Sequence, residues 1–295
     1  MDIIRGIDFH LKNSAVSLGK FDGVHRGHRL LLQKIMSAER LCPTVFTFDG
    51  IFTGERIYTG REQSLVLEQL GMSREILFPF CEETKAMTAE RFVDEILSER
   101  LDAGLVCVGE DFRFGKDRLG DVELLARMSG RYGYELCVYP KLQDEEGIIS
   151  STRIRAELAK GKIQEANRLL GSSYFISGEV AHGRAFGRTI GMPTANIIPD
   201  REKLLPAYGV YVTRVEVDGQ RYGGVTNIGR KPTVGGSDVG VETTLLDFEG
   251  NLYGKNILVY FEYFLRPEKK FSGIDALKKQ IYQDREQAAK LLSCQ

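Results

Sequence analysis

The chain is poor in net charge, in histidine, in closely spaced cysteine and in long apolar runs, and each scarcity excludes something. Lys+Arg total 40 and Asp+Glu 41, a formal charge of -1 over 295 residues. The whole molecule therefore offers no long-range attraction to nucleic acid or to an anionic membrane, and only local anion sites remain. The five cysteines, Cys42, Cys81, Cys107, Cys137 and Cys294, are odd in number and never form CxxC. That argues against a disulfide framework or a thiolate zinc site and for free thiols, with Cys107 and Cys137 in apolar runs that read as core strands. No basic leader precedes a continuous apolar segment, and no stretch approaches the roughly 20 apolar residues that span a bilayer. A cytoplasmic protein is the expectation. There is no repeat at a fixed period and no low-complexity tract.

What is present is ordinary globular composition, 42% hydrophobic and 27% charged, in a chain at the length where single cores stop growing. Two domains are expected, and their grammars differ. In the first half, Ala15–Leu18, Thr44–Phe48, Leu105–Val108 and Glu135–Tyr139 read as strands. Between them Arg29–Leu41, Arg61–Leu70, Ala89–Arg100 and Val122–Arg131 carry apolar residues at helical spacing. This is the pattern of a mostly parallel α/β sheet, whose ligands sit beyond the carboxyl ends of the strands. After a helical stretch over Thr152–Leu170, glycine-rich segments with alternating β-branched and aromatic residues run from Tyr174. They predict a small antiparallel β-barrel, closed or nearly so, followed by a helix over Gly273–Leu292 with Leu277, Ile281, Ala288 and Leu292 on its apolar face. The boundary is expected near Gly171, giving domains 1–171 and 172–295.

Two of the four histidines lie three residues apart in LGKFDGVHRGHRLL, Leu18–Leu31. The segment reads as a strand end, a glycine turn and a helix start, where free N–H groups and the helix dipole attract phosphate. Gly23 and Gly27 permit close approach, and His25 and His28 place two imidazoles over a polyphosphate. A polar loop that happens to carry histidines is the plain alternative, and HxxH supplies too few ligands for zinc. GIISSTRIRAEL, Gly147–Leu158, puts Ser150, Ser151 and Thr152 before a helix whose first turn holds Arg153 and Arg155. It reads as a phosphate clamp or as a well-capped surface helix. In the second half, GRTIGMPTANI, Gly187–Ile197, offers Thr194 and Asn196 as oxygen ligands suited to Mg²⁺, or an ordinary turn.

GxHxGH and ISSTRIR at opposite ends of one α/β domain resemble the HxGH nucleotidyltransferases. With VGEDFRFG, GDVELL, GRTIGMPTANI, GVYV, GGVTNIGRKPTV, ETTLLDF and LRPEKKF, nearly the whole chain resembles the bacterial bifunctional riboflavin kinase/FMN adenylyltransferases, also called FAD synthetases. The resemblance implies a Rossmann-like nucleotidyltransferase domain that transfers AMP from ATP to FMN, followed by a barrel that phosphorylates riboflavin with ATP. It places His25 and His28 on the ATP phosphates, Ser151, Thr152, Arg153 and Arg155 on the pyrophosphate portion, and GEDFRFG with Asp111 and Phe112 in the flavin and nucleotide pocket. Phe112 and Phe114 stack on a ring or are structural, and Asp111 pairs with Arg113 or serves the site. In the barrel it gives Thr194 and Asn196 to the Mg²⁺ of ATP and Glu242 of VETTLLDF the role of base toward the ribityl hydroxyl. Asp247 falls on the opposite face if the strand is regular. His182, Gly183, Arg184 and Gly187 correspond to a nucleotide loop, or to a hairpin turn. Arg266 lies near flavin or phosphate, or is a surface cap.

The chain departs from this pattern at Lys20, where the family has asparagine, at TFDGIF (Thr47–Phe52) in place of TFEPHP, and in VETTLLDF, which lacks a histidine common there. Lys20 adds positive charge that suits a phosphate. A riboflavin kinase with a weak N-terminal domain is thus the second reading. A nucleic-acid module and a flavin carrier that consumes no ATP belong to other classes, the former disfavoured by the charge balance.

Overall fold

Six strands share one parallel sheet because the N-terminal sequence alternates buried strands with helices that cover them. In the computed structural model, which describes residues 1–50, 54–181, 194–233 and 236–293, this unit comprises Met1–Arg56 and Gly60–Ser151. Its strands are β1 (Asp2–Arg5), β2 (Ser14–Leu18), β3 (Cys42–Asp49), β4 (Arg74–Pro79), β5 (Ala103–Gly109) and β6 (Glu135–Tyr139). They lie in the order β1-β4-β3-β2-β5-β6, and after β6 comes a separate two-stranded hairpin, β7 (Gln143–Asp144) with β8 (Gly147–Ile148). The helices are α1 (Arg26–Met36), α2 (Gly60–Gln69), the short α3 (Glu82–Lys85), α4 (Ala89–Arg91), which continues as a π-helix over Phe92–Arg100, and α5 (Val122–Tyr132). On one face Val16, Leu18, Phe46, Ile76, Phe78, Val106 and Val108 pack with Phe92, Val93 and Leu97 of the π-helix. On β4 the alternate position is Glu75, wholly buried, with Ser64 Oγ of α2 2.5 Å from its carboxylate and its pKa raised by burial.

Pairing extends from β2 to β3 on one side and to β5 on the other. The strand order therefore reverses direction at β2, and the crevice beyond the carboxyl ends of β2 and β5 is where such sheets take ligands. The segments that leave those two ends are LGKFDGVHRGH and GEDFRFG.

The second unit comprises Ile57–Thr59 and Thr152–Gln295. The expected single helix over Thr152–Leu170 is two, α6 (Ser151–Ala159) and α7 (Ile163–Leu170), because Gly161 turns the chain at φ +74°. Gly171, at φ 75°, caps α7. Strands β9 (Phe175–Ala181), β10 (Ala195–Ile197), β11 (Gly209–Val217), β12 (Gln220–Thr233), β13 (Gly236–Leu245) and β14 (Asn256–Arg266) close an antiparallel barrel in the order β10-β13-β12-β11-β14-β9. Inside it the hydroxyls of Thr213, Thr226 and Thr243, all fully buried, form a chain with spacings of 2.9 and 2.8 Å. Each satisfies the next, as burial of polar groups requires. The terminal helix, here α8 (Ile274–Ser293), lays Ala288 and Leu292 on Val210, Val212, Val225 and Leu246.

Segment Ile57–Thr59 is held within the second unit by Lys203, which is buried and donates through Nζ to the carbonyls of Ile57 and Phe175, both at 2.7 Å. Its ammonium also lies 4.7 and 4.4 Å from the ring centroids of Tyr58 and Tyr174. These carbonyls and ring faces help replace the water that the charge has lost.

Candidate active sites

The turn that leaves β2 is forced into an uncommon shape. Phe21 (φ 51°), Gly23 (φ 83°) and Val24 (φ 43°) all take left-handed conformations. For Phe and the β-branched Val this costs on the order of 1–3 kcal/mol each. Tertiary contacts hold them there: both side chains are wholly buried, Val24 N–H donates to the Phe21 carbonyl at 2.9 Å, and Arg29 Nε donates to the Val24 carbonyl at 3.2 Å. Ser151 Oγ donates to the Asp22 carbonyl at 2.8 Å, so the serine of ISSTRIR is tied to the turn.

His25 is the N-cap of α1, and its Nδ1 accepts from the His28 N–H at 3.4 Å. That bond assigns the tautomer, leaving the proton on Nε2, which points away from the cap. The His25 and His28 rings stack with centroids 3.7 Å apart and planes 18° apart, and Phe21 meets His28 edge-on at 5.2 Å. Burial lowers the His25 pKa to about 4 and, with His25 beside it, holds His28 well below the usual imidazole range. At neutral pH both rings are therefore neutral hydrogen-bonding groups and not cations.

These depressed values tie stability to pH. Between pH 6.5 and 4 the unfolded chain protonates His25 while the folded chain does not, so acidification favours unfolding, by about 3 kcal/mol at the lower end for His25. A series of thermal melts from pH 7 to 4 should show this as a falling Tm, with a shallower slope in His25→Gln. Parallel slopes in the two proteins would refute it.

Gly27 is required by the ring beside it. A Cβ there would lie 3.2 Å from both Cε1 and Nδ1 of His25, closer than ordinary contact. Alanine is nevertheless the better helix former by up to about 1 kcal/mol. Gly27→Ala is expected to keep or raise Tm while lowering FMN adenylylation roughly tenfold, the scale of a small misplacement. Parallel measurements of Tm and kcat check this, and unchanged turnover would show that His25 can yield.

Beyond the ends of β2, β3 and β4 opens a cavity of about 730 Å³ lined by Phe48, Phe78, Phe80, Phe92, Phe112 and Phe114, with Lys20, Lys85, Arg113 and Arg118 among its cations. Apolar walls with a few charged groups suit an aromatic, anionic ligand. Phe114 is buried and meets Phe92 at 5.5 Å, so it belongs to the core, and it stacks on Phe112, which is half-buried, at 5.5 Å and 15°. The loop is locked by Gly115 and Gly120, where a Cβ would come within 2.7 Å of Ala89. Asp111 pairs with Lys141 at 2.9 Å, while Arg113 donates to the Phe112 carbonyl at 3.0 Å, so the anticipated Asp111–Arg113 pair is not made. Lys20 lines this cavity, and Gly50 turns the chain after β3 at φ 79°. Ile51 and Phe52 of TFDGIF fall outside the described residues.

In the second unit, Thr152 is exposed and Arg153 and Arg155 are half-buried on α6. Arg153 Nη2 bonds Glu165 Oε1 at 2.9 Å, and Glu165 also takes Arg168, which with Arg153 holds its carboxyl below the usual range. On the barrel, strand register makes a group that the linear sequence separates. Glu242 of β13 lies directly across from Asn196 of β10 and from Asn227 of β12. All three are half-buried, on the parity opposite to the buried Thr226 and Thr243, and so on the outer face. Asn227 was not anticipated as a site residue, since its lone signal is the motif GGVTNIG. Thr194 is half-buried just before β10. Asp247 lies in the turn beyond β13, exposed and at φ 52°, rather than on the strand. Arg266 donates to both carboxylate oxygens of Asp284 on α8, its shortest bond 2.7 Å, and Asp284 is buried. His182, Gly183, Arg184 and Gly187 fall outside the described residues, as does Cys294. The other four cysteines are free thiols, and Cys107 pairs in register with Cys137 across β5 and β6.

Comparison with known proteins covers both units. A family model described as FAD synthetase matches residues 8–153, and one described as riboflavin kinase matches residues 170–292. Bifunctional riboflavin kinase/FMN adenylyltransferases of Escherichia coli K12 and Bacillus subtilis are 37% and 33% identical to the chain. The alignments cover 96% of the chain and 96% of the E. coli protein, and 95% of the chain and 93% of the B. subtilis protein. A crystal structure described as a macrolide-efflux protein from Streptococcus pneumoniae superposes with a TM-score of 0.85 at 32% identity, covering 97% of this chain and 98% of its own. Among the described residues no helix is long and apolar enough to cross a membrane. With this much similarity extending over both units, the chain belongs to the bifunctional riboflavin kinase/FMN adenylyltransferase family.

Proposed function

We propose that the protein makes FMN from riboflavin and ATP in its C-terminal domain and FAD from FMN and a second ATP in its N-terminal domain, with the domains divided at 171/172 and the work done in the cytoplasm. The observation that carries the reading is that the two family motif sets end at two separate constellations, each suited to its own transfer.

In the adenylyl transfer an FMN phosphate oxygen attacks the α-phosphorus of ATP, a P–O bond forms, and the α–β anhydride breaks to release pyrophosphate. The nucleophile is already an anion, so the protein's task is position and charge stabilisation. His25 Nε2–H and the His28 ring donate toward phosphate oxygens from the start of α1, where free N–H groups add to the field. Their neutrality at pH 7 supports donation without attraction of stray anions. Ser151, Thr152, Arg153 and Arg155 carry the pyrophosphate contacts, and Asp111, Phe112 and Lys20 belong to the cavity for FMN and ATP. The aromatic lining of that cavity and its cations support this assignment.

In the kinase, the ribityl 5′-hydroxyl of riboflavin gives its proton to Glu242 as its oxygen attacks the γ-phosphorus, and ADP leaves. The oxygen donors of Thr194 and Asn196 fit a hard cation, and among the described residues no cluster of three His, Cys, Asp or Glu competes for it. Mg²⁺ held there would neutralise charge on the ATP phosphates. His182, Gly183, Arg184 and Gly187 belong to the nucleotide loop in this reading, and Arg266 to the surroundings of flavin or phosphate. The test is a time course with riboflavin, ATP and Mg²⁺, and a parallel one from FMN and ATP, with flavins separated by chromatography. FMN followed by FAD supports the proposal. FMN that never becomes FAD from either start refutes the bifunctional claim.

A further inference from the structure

We infer that Ser151 is a positioning residue for adenylyl transfer: its hydroxyl ties the start of α6 to the carbonyl of Asp22 and so holds the turn that presents His25 and His28. This inference deepens the reading of those histidines as phosphate-binding groups and rests on it.

The turn needs holding. Phe21, Gly23 and Val24 are left-handed, and residues other than glycine keep such conformations only where their surroundings over-determine them. Asp22 sits among these three, buried, and its carbonyl accepts from Ser151 Oγ at 2.8 Å. The bonds from Val24 N–H to the Phe21 carbonyl and from Arg29 Nε to the Val24 carbonyl come from the turn itself and from the helix that follows it. Ser151 is 129 residues away, so its bond anchors the turn to a part of the domain that the turn and α1 do not themselves provide. The segment before Ser151 also reaches α1. Across the β7–β8 hairpin Ile149, buried, donates its N–H to the Leu142 carbonyl at 2.9 Å, and Leu142 Cβ lies 3.8 Å from where a Cβ on Gly27 would stand. The stretch from Leu142 to Ser151 thus meets the histidine element at Asp22 and at Gly27, on either side of His25.

The same bond limits what Ser151 gives a nucleotide. A serine hydroxyl has one O–H, and here it is committed to a carbonyl; its lone pairs are acceptors, as phosphate oxygens are. The hydroxyl therefore serves the turn, and the contact of Ser151 with pyrophosphate falls to its backbone N–H at the first residue of α6, where helix donors are free. Alanine at this position keeps that N–H and loses the tie alone.

The experiment uses the full-length protein with Ser151→Ala, Ser151→Thr, His28→Ala and the Ser151→Ala/His28→Ala double variant. It measures kcat and KM for FMN adenylylation, inhibition by added pyrophosphate, Tm, and riboflavin phosphorylation as an internal control. Ser151→Ala should lower the adenylylation kcat about tenfold or more, the scale of a small misplacement, with KM for ATP and pyrophosphate inhibition little changed. Ser151→Thr, which keeps the O–H, should restore most of the rate. In the His28→Ala background the further loss from Ser151→Ala should be smaller than in wild type, since coupled residues are not additive. Riboflavin phosphorylation should stay at the wild-type rate throughout. If His28→Ala keeps full adenylylation, the reading of the histidines fails and this inference with it. If His28→Ala is impaired while Ser151→Ala lowers Tm alone, weakens ATP and pyrophosphate binding at unchanged kcat, or multiplies in full with His28→Ala, the Ser151 role alone is overturned. Should Ser151→Ala lose adenylylation altogether, Ser151→Cys serves in its place, because a thiol is a weaker donor at the same position. An intermediate kcat at unchanged KM for ATP supports the role, and a wild-type kcat or inactivity rejects it.

Discussion

Glu242→Gln is expected to lower riboflavin phosphorylation by about 10²–10⁴-fold, the usual contribution of a general base. The substitution keeps the size and hydrogen-bonding shape of the side chain, so the ladder to Asn196 and Asn227 remains and what is lost is proton acceptance. Glu242 is half-buried on the outer face, away from the threonine chain inside the barrel. The fold should therefore tolerate the change. FMN adenylylation by the same preparation should be unaffected. Riboflavin then accumulates unreacted while added FMN is still converted to FAD, and this split is read directly by chromatography. A Gln variant that phosphorylates at wild-type rate would remove Glu242 from the chemistry.

His28→Ala is expected to produce the reverse split, lowering FMN adenylylation by about 10²–10³-fold, as loss of one preorganised donor does. Riboflavin should then stop at FMN. The ring lies between His25, stacked at 3.7 Å, and Phe21, edge-on at 5.2 Å, so its removal also frees His25 to swing. His28 Nδ1 is buried with no hydrogen-bond partner among the described residues, a cost without structural return that a ligand donor or a proton shift would repay. His28→Asn, which restores an N–H, should recover part of the rate. Full activity in His28→Ala would reduce the HxGH element to a helix cap, the plain alternative for this loop.

The elements that were legible share a regular burial pattern. β2, β5 and the barrel strands announced themselves through β-branched and aromatic runs, and the motif loops fell where a parallel sheet binds ligands. β4 was hidden because Glu75 interrupts its apolar run, although it is wholly buried. β1 was hidden because an edge strand, paired on β4 alone and largely exposed, lacks a hydrophobic signature. Helical spacing over Ala89–Arg100 was correct as a helix, yet it does not distinguish the π turns of Phe92–Arg100 from α turns. The candidate sites divide in the same way. His25 and His28 are neighbours in sequence and in space, whereas the Ser151–Asp22 bond and the Asn196–Glu242–Asn227 row depend on long-range register. The commitment of Arg266 to Asp284 likewise requires α8 to be in place.

Protein engineers who wish to work with one activity at a time would naturally cut the gene once, near the junction of its two halves. Lys203 argues against that simplicity. The carbonyl of Ile57 and the ring of Tyr58 supply part of the shell around its ammonium, and they are encoded far upstream of the barrel. A C-terminal fragment would bury a cation with the Ile57 carbonyl and the Tyr58 ring missing from its shell, and an N-terminal fragment would release an apolar tyrosine and isoleucine to water. The two catalysts are thus interlaced in the gene, and a stable solo kinase needs residues 57–59 returned to it or Lys203 replaced by a side chain that asks for no partners.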